Sequence, residues 1–116
     1  MDTVHFPPLT SAVFHILLAL ATGEKHGYEI MKSVQRDSNG KVKMGNGTLY
    51  GSLQRMLADK FIEEAKSRET SEDTRRKYYK VTHLGRDVMN AEIQRYQDTL
   101  DAINKYKLVP NLLPNN

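Results

Sequence analysis

The sequence has no cysteine and no tryptophan among its 116 residues. Without cysteine there is no disulfide, no thiolate metal site and no cysteine nucleophile, and this composition fits a reducing compartment. The longest apolar run, Ile16 to Ala21, is too short to span a bilayer, and no basic leader with a cleavage site precedes it. We therefore expect a cytoplasmic protein with no membrane partner.

Motifs for catalysis or metal binding are also missing. The zinc-binding helix motif His-Glu-x-x-His is absent. The turn Gly45-Asn46-Gly47 lacks the Gly-Lys-Ser/Thr sequence that completes a phosphate-binding loop. The histidines have no spacing typical of metal ligands; they are His5, His15, His26 and His83. The sequence thus predicts no enzyme activity, no metal and no cofactor.

The positive charge is unevenly distributed along a chain long enough for one domain. From Glu24 to Lys60 there are seven basic and four acidic residues, a balance of +3, and from Lys66 to Arg86 there are seven and three, a balance of +4. Since the total is +3, the rest of the chain sums to −4. A polyanion is therefore expected to meet one end of the molecule.

Two helices are predicted near the N-terminus. Thr10 or Ser11 can cap the first, whose apolar residues follow the helical period up to Gly23. The second begins near His26 and is interrupted from Asp37 to Gly40. Both bury one apolar side in a common core.

A third helix follows the turn at 45–47, with Thr48 as its predicted N-cap. Its apolar stripe contains Leu49, Leu53, Met56 and Leu57. The opposite side, which includes Tyr50, Gln54 and Arg55, is predicted to face outward.

Short strands flank this third helix. Residues 41–44 alternate and indicate a strand at the sheet edge, and 62–66 with 76–81 indicate a hairpin, with Tyr79 and Val81 on its inner face and Tyr78 outside. The hairpin connection, at 67–74, exceeds the roughly two to five residues that hairpins usually use. We interpret it as a projecting wing.

The last helix is predicted from a Thr82 cap to about Lys107, before Pro110. Its apolar residues recur at alternating intervals of four and three, the spacing of a coiled-coil seam. They are Met89, Ile93, Tyr96, Leu100 and Ile103. Because three other helices already supply a core, this seam favours pairing with a second copy of the chain.

Several separated motifs together resemble the PadR-like family of bacterial transcriptional regulators. They are Leu9-Thr10, Leu17-Leu18, His26-Gly27-Tyr28-Glu29-Ile30, Gly47-Thr48-Leu49-Tyr50 with Leu53 and Arg55, and Arg76 to Gly85. The resemblance implies a mainly α fold with a small β-hairpin: a winged helix-turn-helix domain over 1–81, a dimerisation helix over 82–109 and a flexible tail over 110–116. It also implies a homodimeric repressor that binds a pseudo-palindromic operator in double-stranded DNA and is released by an aromatic or hydrophobic small-molecule effector.

The resemblance, together with the positions of the basic and aromatic residues, indicates candidate site residues. Those expected to contact DNA are Tyr28, Lys41, Lys43, Thr48, Tyr50, Gly51, Ser52, Gln54, Arg55, Arg75, Arg76 and Lys77. The seam residues given above are expected to form the dimer. The effector candidates are Phe14, Tyr96 and Tyr106, which serve equally well as packing residues.

Three departures from the family pattern stand out. Gly51 replaces the usual proline after the tyrosine of the third helix, Lys60 replaces a usual glycine, and tryptophans that stack flat ligands in some relatives are absent. DNA preference and that ligand mode therefore do not transfer. The alternative function is a winged-helix module that binds a protein and not DNA, since a fold by itself does not decide function.

Overall fold

The computed structural model describes residues 6–66 and 76–108. In these ranges the chain forms four helices and a three-stranded antiparallel sheet. The elements are α1 (Ser11–Ala21), β1 (Lys25–His26), α2 (Gly27–Asp37), α3 (Asn46–Ala58), β2 (Ile62–Ala65), β3 (Tyr78–Val81) and α4 (His83–Lys105). The predicted wing connection at 67–74, Arg75 and the predicted tail at 110–116 lie outside the described residues.

Three of the four helices begin with a side-chain cap. The hydroxyl of Thr10 accepts a hydrogen bond from the N–H of Val13 at 3.2 Å, and that of Thr82 accepts one from Gly85 at 3.0 Å, so both predicted caps are confirmed. At α2 the residue in the cap position is His26, with Nδ1 3.4 Å from the N–H of Glu29 and its own N–H donating to the Glu29 carboxylate at 3.2 Å, which is the geometry of a capping box.

The predicted Thr48 cap of α3 is wrong. The helix begins at Asn46 after Gly45, without a side-chain cap. The N–H of Leu49 already donates to the carbonyl of Gly45 at 3.0 Å. Thr48 therefore lies inside the first helical turn, where its own backbone is already helical.

The sheet differs from the predicted arrangement. Residues 41–44 form no strand; Val42 and Met44 instead pack against the core from an irregular segment. The third strand is β1, which pairs with β3 opposite β2, giving the order β1-β3-β2. Tyr78 pairs with His26 of β1, and the two rings contact each other at a centroid distance of 5.3 Å. Tyr78 is therefore buried, like Tyr79, and is not exposed as predicted.

The core surrounds α1, which contacts α2, α3, α4 and β3. Ile16 and Leu17 are fully buried in its middle, and α3 contributes Leu49, Leu53 and Met56. A central helix that packs on several neighbours needs apolar residues on more than one side, as α1 has. This packing fixes α3 with its polar side outward.

The turn after α3 explains the departure at Lys60. The N–H of Phe61 donates to Met56 and that of Lys60 donates to Leu57, which is the hydrogen-bond pattern of a Schellman motif. Lys60 has a φ of +65°, in the left-handed region that glycine adopts without steric cost. The chain thus keeps the turn that a glycine would favour.

A buried carboxylate ties the N-terminal segment to α4. Glu92 is 5% exposed, and its Oε1 accepts hydrogen bonds from the N–H of Leu9 at 3.2 Å and from Nε of Arg95 at 3.1 Å. Arg95 also donates to the carbonyl of Phe6 at 2.9 Å. Burial alone would raise the pKa of Glu92, but the hydrogen bonds from Arg95, Leu9 and Tyr96 and the charge of Arg95 together lower it.

We expect this carboxylate to make stability depend on pH below about 4.5, its ordinary pKa. Because the pKa of Glu92 is lower in the folded state, its contribution is fully present above the unfolded value and is lost as pH falls through the folded value. Urea denaturation of wild type and Glu92→Gln at several pH values measures it. The difference between the two proteins should shrink on acidification, and a constant difference would contradict the prediction.

Candidate nucleic-acid interface

An open cleft lies where the start of α2, the outward side of α3 and the start of β3 meet. Its volume is about 460 Å³. It is lined by His26, Gly27, Tyr28, Tyr50, Gln54, Arg76, Lys77 and Tyr79. Five of the predicted DNA-contacting residues, supplied by three segments, therefore meet at one place.

The outward side of α3 carries the other predicted contacts from this helix. Thr48, Gly51 and Arg55 are exposed and Ser52 is partly buried. No atom outside the local helix backbone lies within 4 Å of a Cβ built on Gly51. The helix therefore presents a polar surface with little bulk at its centre.

Tyr50 lies against the first turn of α2. A Cβ built on Gly27 would be 2.5 Å from the Tyr50 hydroxyl oxygen and 3.0 Å from its ring carbon, so only glycine leaves room for this position. The hydroxyl consequently lies within the cleft. Gly27 lines the cleft although it is not among the predicted contact residues, and it belongs to the motif His26-Gly27-Tyr28.

The β3 side of the cleft is lined by two cationic residues, Arg76 and Lys77, and by the phenol of Tyr79. Nη1 of Arg76 lies 3.0 Å from Nε2 of His26, and Nζ of Lys77 lies 3.7 Å from a carboxylate oxygen of Glu64. Burial raises the pKa of Tyr79, with further contributions from Glu64 and Tyr50. Its hydroxyl therefore remains a hydrogen-bond donor at neutral pH.

Two predicted contacts lie beside the cleft and not in it. Lys41 and Lys43 are exposed on the segment between α2 and α3. Lys43 lines a neighbouring groove with Tyr28 and Lys32, whose Nζ lies 5.5 Å from the centre of the Tyr28 ring. Arg75, as stated, is outside the described residues.

The predicted dimer seam on α4 divides into two parts. Met89 is 6% exposed and belongs to the core of its own chain, so a second chain cannot reach it. Ile93, Tyr96 and Leu100 are 40%, 46% and 49% exposed, and Ile103 is partly exposed. An apolar face thus remains uncovered on the outer two-thirds of the helix.

The three effector candidates are not brought together. The rings of Phe14 and Tyr96 meet edge to face with centroids 5.2 Å apart. Tyr106 follows Tyr96 by ten residues, which is about 15 Å along a helix axis, and it is 67% exposed. Phe14 and Tyr96 therefore pack on each other, while Tyr106 lies near the end of α4.

No cluster of three or more histidine or acidic residues suited to a metal occurs within 6–66 and 76–108. Among the helices that the structure describes, none combines the length and apolarity needed to cross a membrane.

Comparison with known proteins decides the family. Residues 16–91 match the model of the transcriptional regulator PadR-like family. The chain belongs to this family. A PadR family transcription regulator from hypervirulent Clostridium difficile is similar in structure to this PadR-like chain, with a TM-score of 0.69, 29% identity, and coverage of 84% of this chain and 98% of that one.

Two further structures show the same winged-helix fold. A transcriptional regulator from Clostridium thermocellum has a TM-score of 0.64 and 26% identity, covering 83% of this chain and 89% of that one. Bacillus subtilis PadR, solved in complex with operator DNA, has a TM-score of 0.56 and 20% identity. That similarity covers 67% of this PadR-like chain and 44% of the Bacillus subtilis protein.

Proposed function

We propose that this PadR-like regulator binds double-stranded DNA as a homodimer and acts as a repressor. The observation that carries the proposal is the cleft, where Tyr28, Tyr50, Gln54, Arg76 and Lys77 converge from three segments beside the outward side of α3. A concave surface with two cations and several hydrogen-bond donors suits a DNA backbone. The operator complex of Bacillus subtilis PadR supports duplex DNA as the ligand.

In this proposal α3 enters the major groove. Arg55 and Gln54, both exposed on α3, reach base edges, where arginine pairs with guanine and glutamine with adenine. Tyr50, which lines the cleft together with Arg76, contacts the phosphate backbone beside the groove. Lys41 and Lys43 add phosphate contacts on the neighbouring side.

Dimerisation is proposed through the exposed face of α4, which comprises Ile93, Tyr96, Leu100 and Ile103. Residues 1–81 then form the DNA-binding part and 82–109 the pairing part, although the first turns of α4 also complete the core through Val88 and Met89. Two paired copies place two α3 helices in successive major grooves, with half-site centres about 34 Å apart on a pseudo-palindromic operator.

An aromatic or hydrophobic effector is proposed to act between α1 and α4. The contact of Phe14 with Tyr96 lies at the edge of the α4 face. A ligand that separates these rings would change the angle between the two helices and hence the spacing of the two α3 helices in the dimer. Release of the operator would follow.

Charge reversal at the cleft tests DNA binding. We expect Arg76→Glu with Lys77→Glu to weaken binding to duplex DNA at least about 100-fold at moderate salt, because two phosphate contacts per chain become repulsive. The slope of log K against log salt should fall by about 0.9 for each lost contact. Fluorescence anisotropy with labelled duplex DNA, at stated salt concentrations, measures both quantities.

The matched control is Lys105→Glu with Lys107→Glu, which reverses two exposed charges at the far end of α4. This control variant should bind duplex DNA with an affinity within about twofold of the wild type. Its reversed charges lie far from the cleft, and salt screens interactions between exposed charges that are farther apart than the Debye length. Equal losses in both variants would contradict the cleft assignment. If the wild-type protein retains no fragment from a random duplex pool, the protein-binding module is the correct function.

A further inference from the structure

His26 occupies a position that links α2, the sheet and the cleft. It is 6% exposed, and its main chain pairs with Tyr78 across the sheet. The two rings contact each other at a centroid distance of 5.3 Å. Arg76 precedes Tyr78 by two residues, so it lies on the same side of β3 and diagonal to His26, within reach of the imidazole.

Two hydrogen-bond donors lie beside the imidazole of His26, and each needs an unprotonated ring nitrogen as its acceptor. The guanidinium of Arg76 has donors only, so its 3.0 Å contact requires Nε2 of His26 to accept. The N–H of Glu29, in the first turn of α2, requires Nδ1 to accept at 3.4 Å. A neutral imidazole has one acceptor nitrogen, so it cannot satisfy both donors at once.

The contact with Arg76 is the shorter of the two, so the favoured tautomer accepts through Nε2 and carries its proton on Nδ1. In this tautomer Nδ1 cannot accept from the N–H of Glu29, and the α2 cap is incomplete. If a DNA phosphate takes Arg76, the proton on Nδ1 can pass to water while Nε2 takes one from water, with no change in net charge. Nδ1 then caps the N–H of Glu29, and the new Nε2–H faces the Glu29 carboxylate, which lies 3.6 Å away. Release of Arg76 is thereby coupled to completion of the cap.

We propose that His26 is a positioning residue for DNA binding, which holds Arg76 at the cleft in the free protein and exchanges it for the α2 cap when a phosphate binds. This inference rests on the proposed function. It predicts that His26 acts on DNA affinity through Arg76 and not merely through the stability of α2. His26 lines the cleft but is only 6% exposed, so in this proposal the phosphate is contacted by Arg76 and not by His26.

A double-mutant cycle tests the coupling. His26→Asn removes the imidazole but keeps a side chain that caps helices well. Because DNA binding must break the favoured contact between His26 and Arg76, and asparagine supplies the cap in both states, this substitution should strengthen binding to a labelled random-sequence duplex about three- to tenfold. The effect should fall below about twofold in the Arg76→Gln background. In the matched Lys77→Gln background the full effect of His26→Asn should remain.

Equal effects of His26→Asn in all three backgrounds would overturn the inference while leaving DNA binding intact. Absence of duplex binding by the wild-type protein would overturn the proposed function and this inference with it. The two failures are therefore distinguishable.

Nitrogen-15 NMR of the His26 ring gives a second test without altering His26. The free wild-type protein should show mainly the Nδ1–H tautomer. Arg76→Gln, or saturation of the wild type with the same duplex, should shift the population toward Nε2–H. An unchanged tautomer in both samples would overturn the inference even if His26→Asn failed to fold.

Discussion

Replacing Gly85 with alanine is expected to remove about 3–5 kcal/mol of stability, a large share of the roughly 5–15 kcal/mol that stabilises an ordinary domain. A Cβ at this position would lie 2.1 Å from the carbonyl oxygen of Phe61 and 2.8 Å from Cγ2 of Val81. The carbonyl of Phe61 cannot move freely, because it accepts hydrogen bonds from the N–H and the hydroxyl of Thr82, each at 3.0 Å. Relief of the clash must therefore shift backbone.

Urea denaturation at one protein concentration measures this loss, with Gly51→Ala as the matched control. Gly51 is also a helix-interior glycine, but a Cβ there meets open space. Alanine should stabilise that position by about 1 kcal/mol, because glycine has the lower helix propensity. Two identical substitutions should thus change stability in opposite directions. If both variants were stabilised, the close approach of α4 to Phe61 would be incorrect.

The second large effect is expected at the α4 face. Ile93→Asp with Leu100→Asp should convert the proposed dimer into a folded monomer. The two substitutions remove four apolar side chains from a symmetric dimer. Full burial of such a side chain contributes about 1.5–3 kcal/mol, and Ile93 and Leu100 are 40% and 49% exposed in their own chain, so pairing adds roughly half of that for each. Since about 1.4 kcal/mol corresponds to a tenfold change in affinity, the dimer dissociation constant should rise by at least about 100-fold.

Light scattering across a concentration series measures the change, and circular dichroism verifies that the variant is folded. The matched control is Gln94→Asp with Ala102→Asp, which adds the same charges at exposed positions outside the apolar seam. It should remain dimeric. A wild-type chain that is monomeric at all concentrations would refute pairing through α4.

Met89 belongs to the predicted seam but is left out of the dimerisation test. The residue has the correct spacing for the seam, yet it is buried in its own chain. Met89→Asp is therefore a folding variant, and loss of dimer in it would not identify an interface. Periodicity indicates which residues share a side of a helix, but not which neighbour covers each turn of that side.

Local chemistry made much of the chain predictable. Thr10 and Thr82 cap helices because a hydroxyl before a helical segment satisfies a free backbone N–H, and the structure confirms both. The order of the four helices and of the β2–β3 hairpin also follows from periodicity and turn residues. The family could be recognised from motifs alone, and the match over residues 16–91 confirms it.

Other features depend on contacts between distant segments. β1 has only two residues, too few for a periodic signal, and it exists because β3 supplies its hydrogen-bond partners. Tyr78 is buried for the same reason. Residues 41–44 alternate like a strand, but they have no strand partner in the described part of the chain, so the alternation only turns Val42 and Met44 toward the core.

Local residue patterns and composition alone predict the helical segments, two of their four N-caps, the basic region and the family. Each of these depends on neighbouring residues or on composition. Tertiary structure alone decided that Met89 faces inward while Ile93 faces outward, that Tyr50 lies against Gly27, and that His26 meets Arg76. The contacts of Tyr50 with Gly27 and of His26 with Arg76 join residues far apart in the chain, and only the packing of α2, α3 and β3 brings them within contact distance.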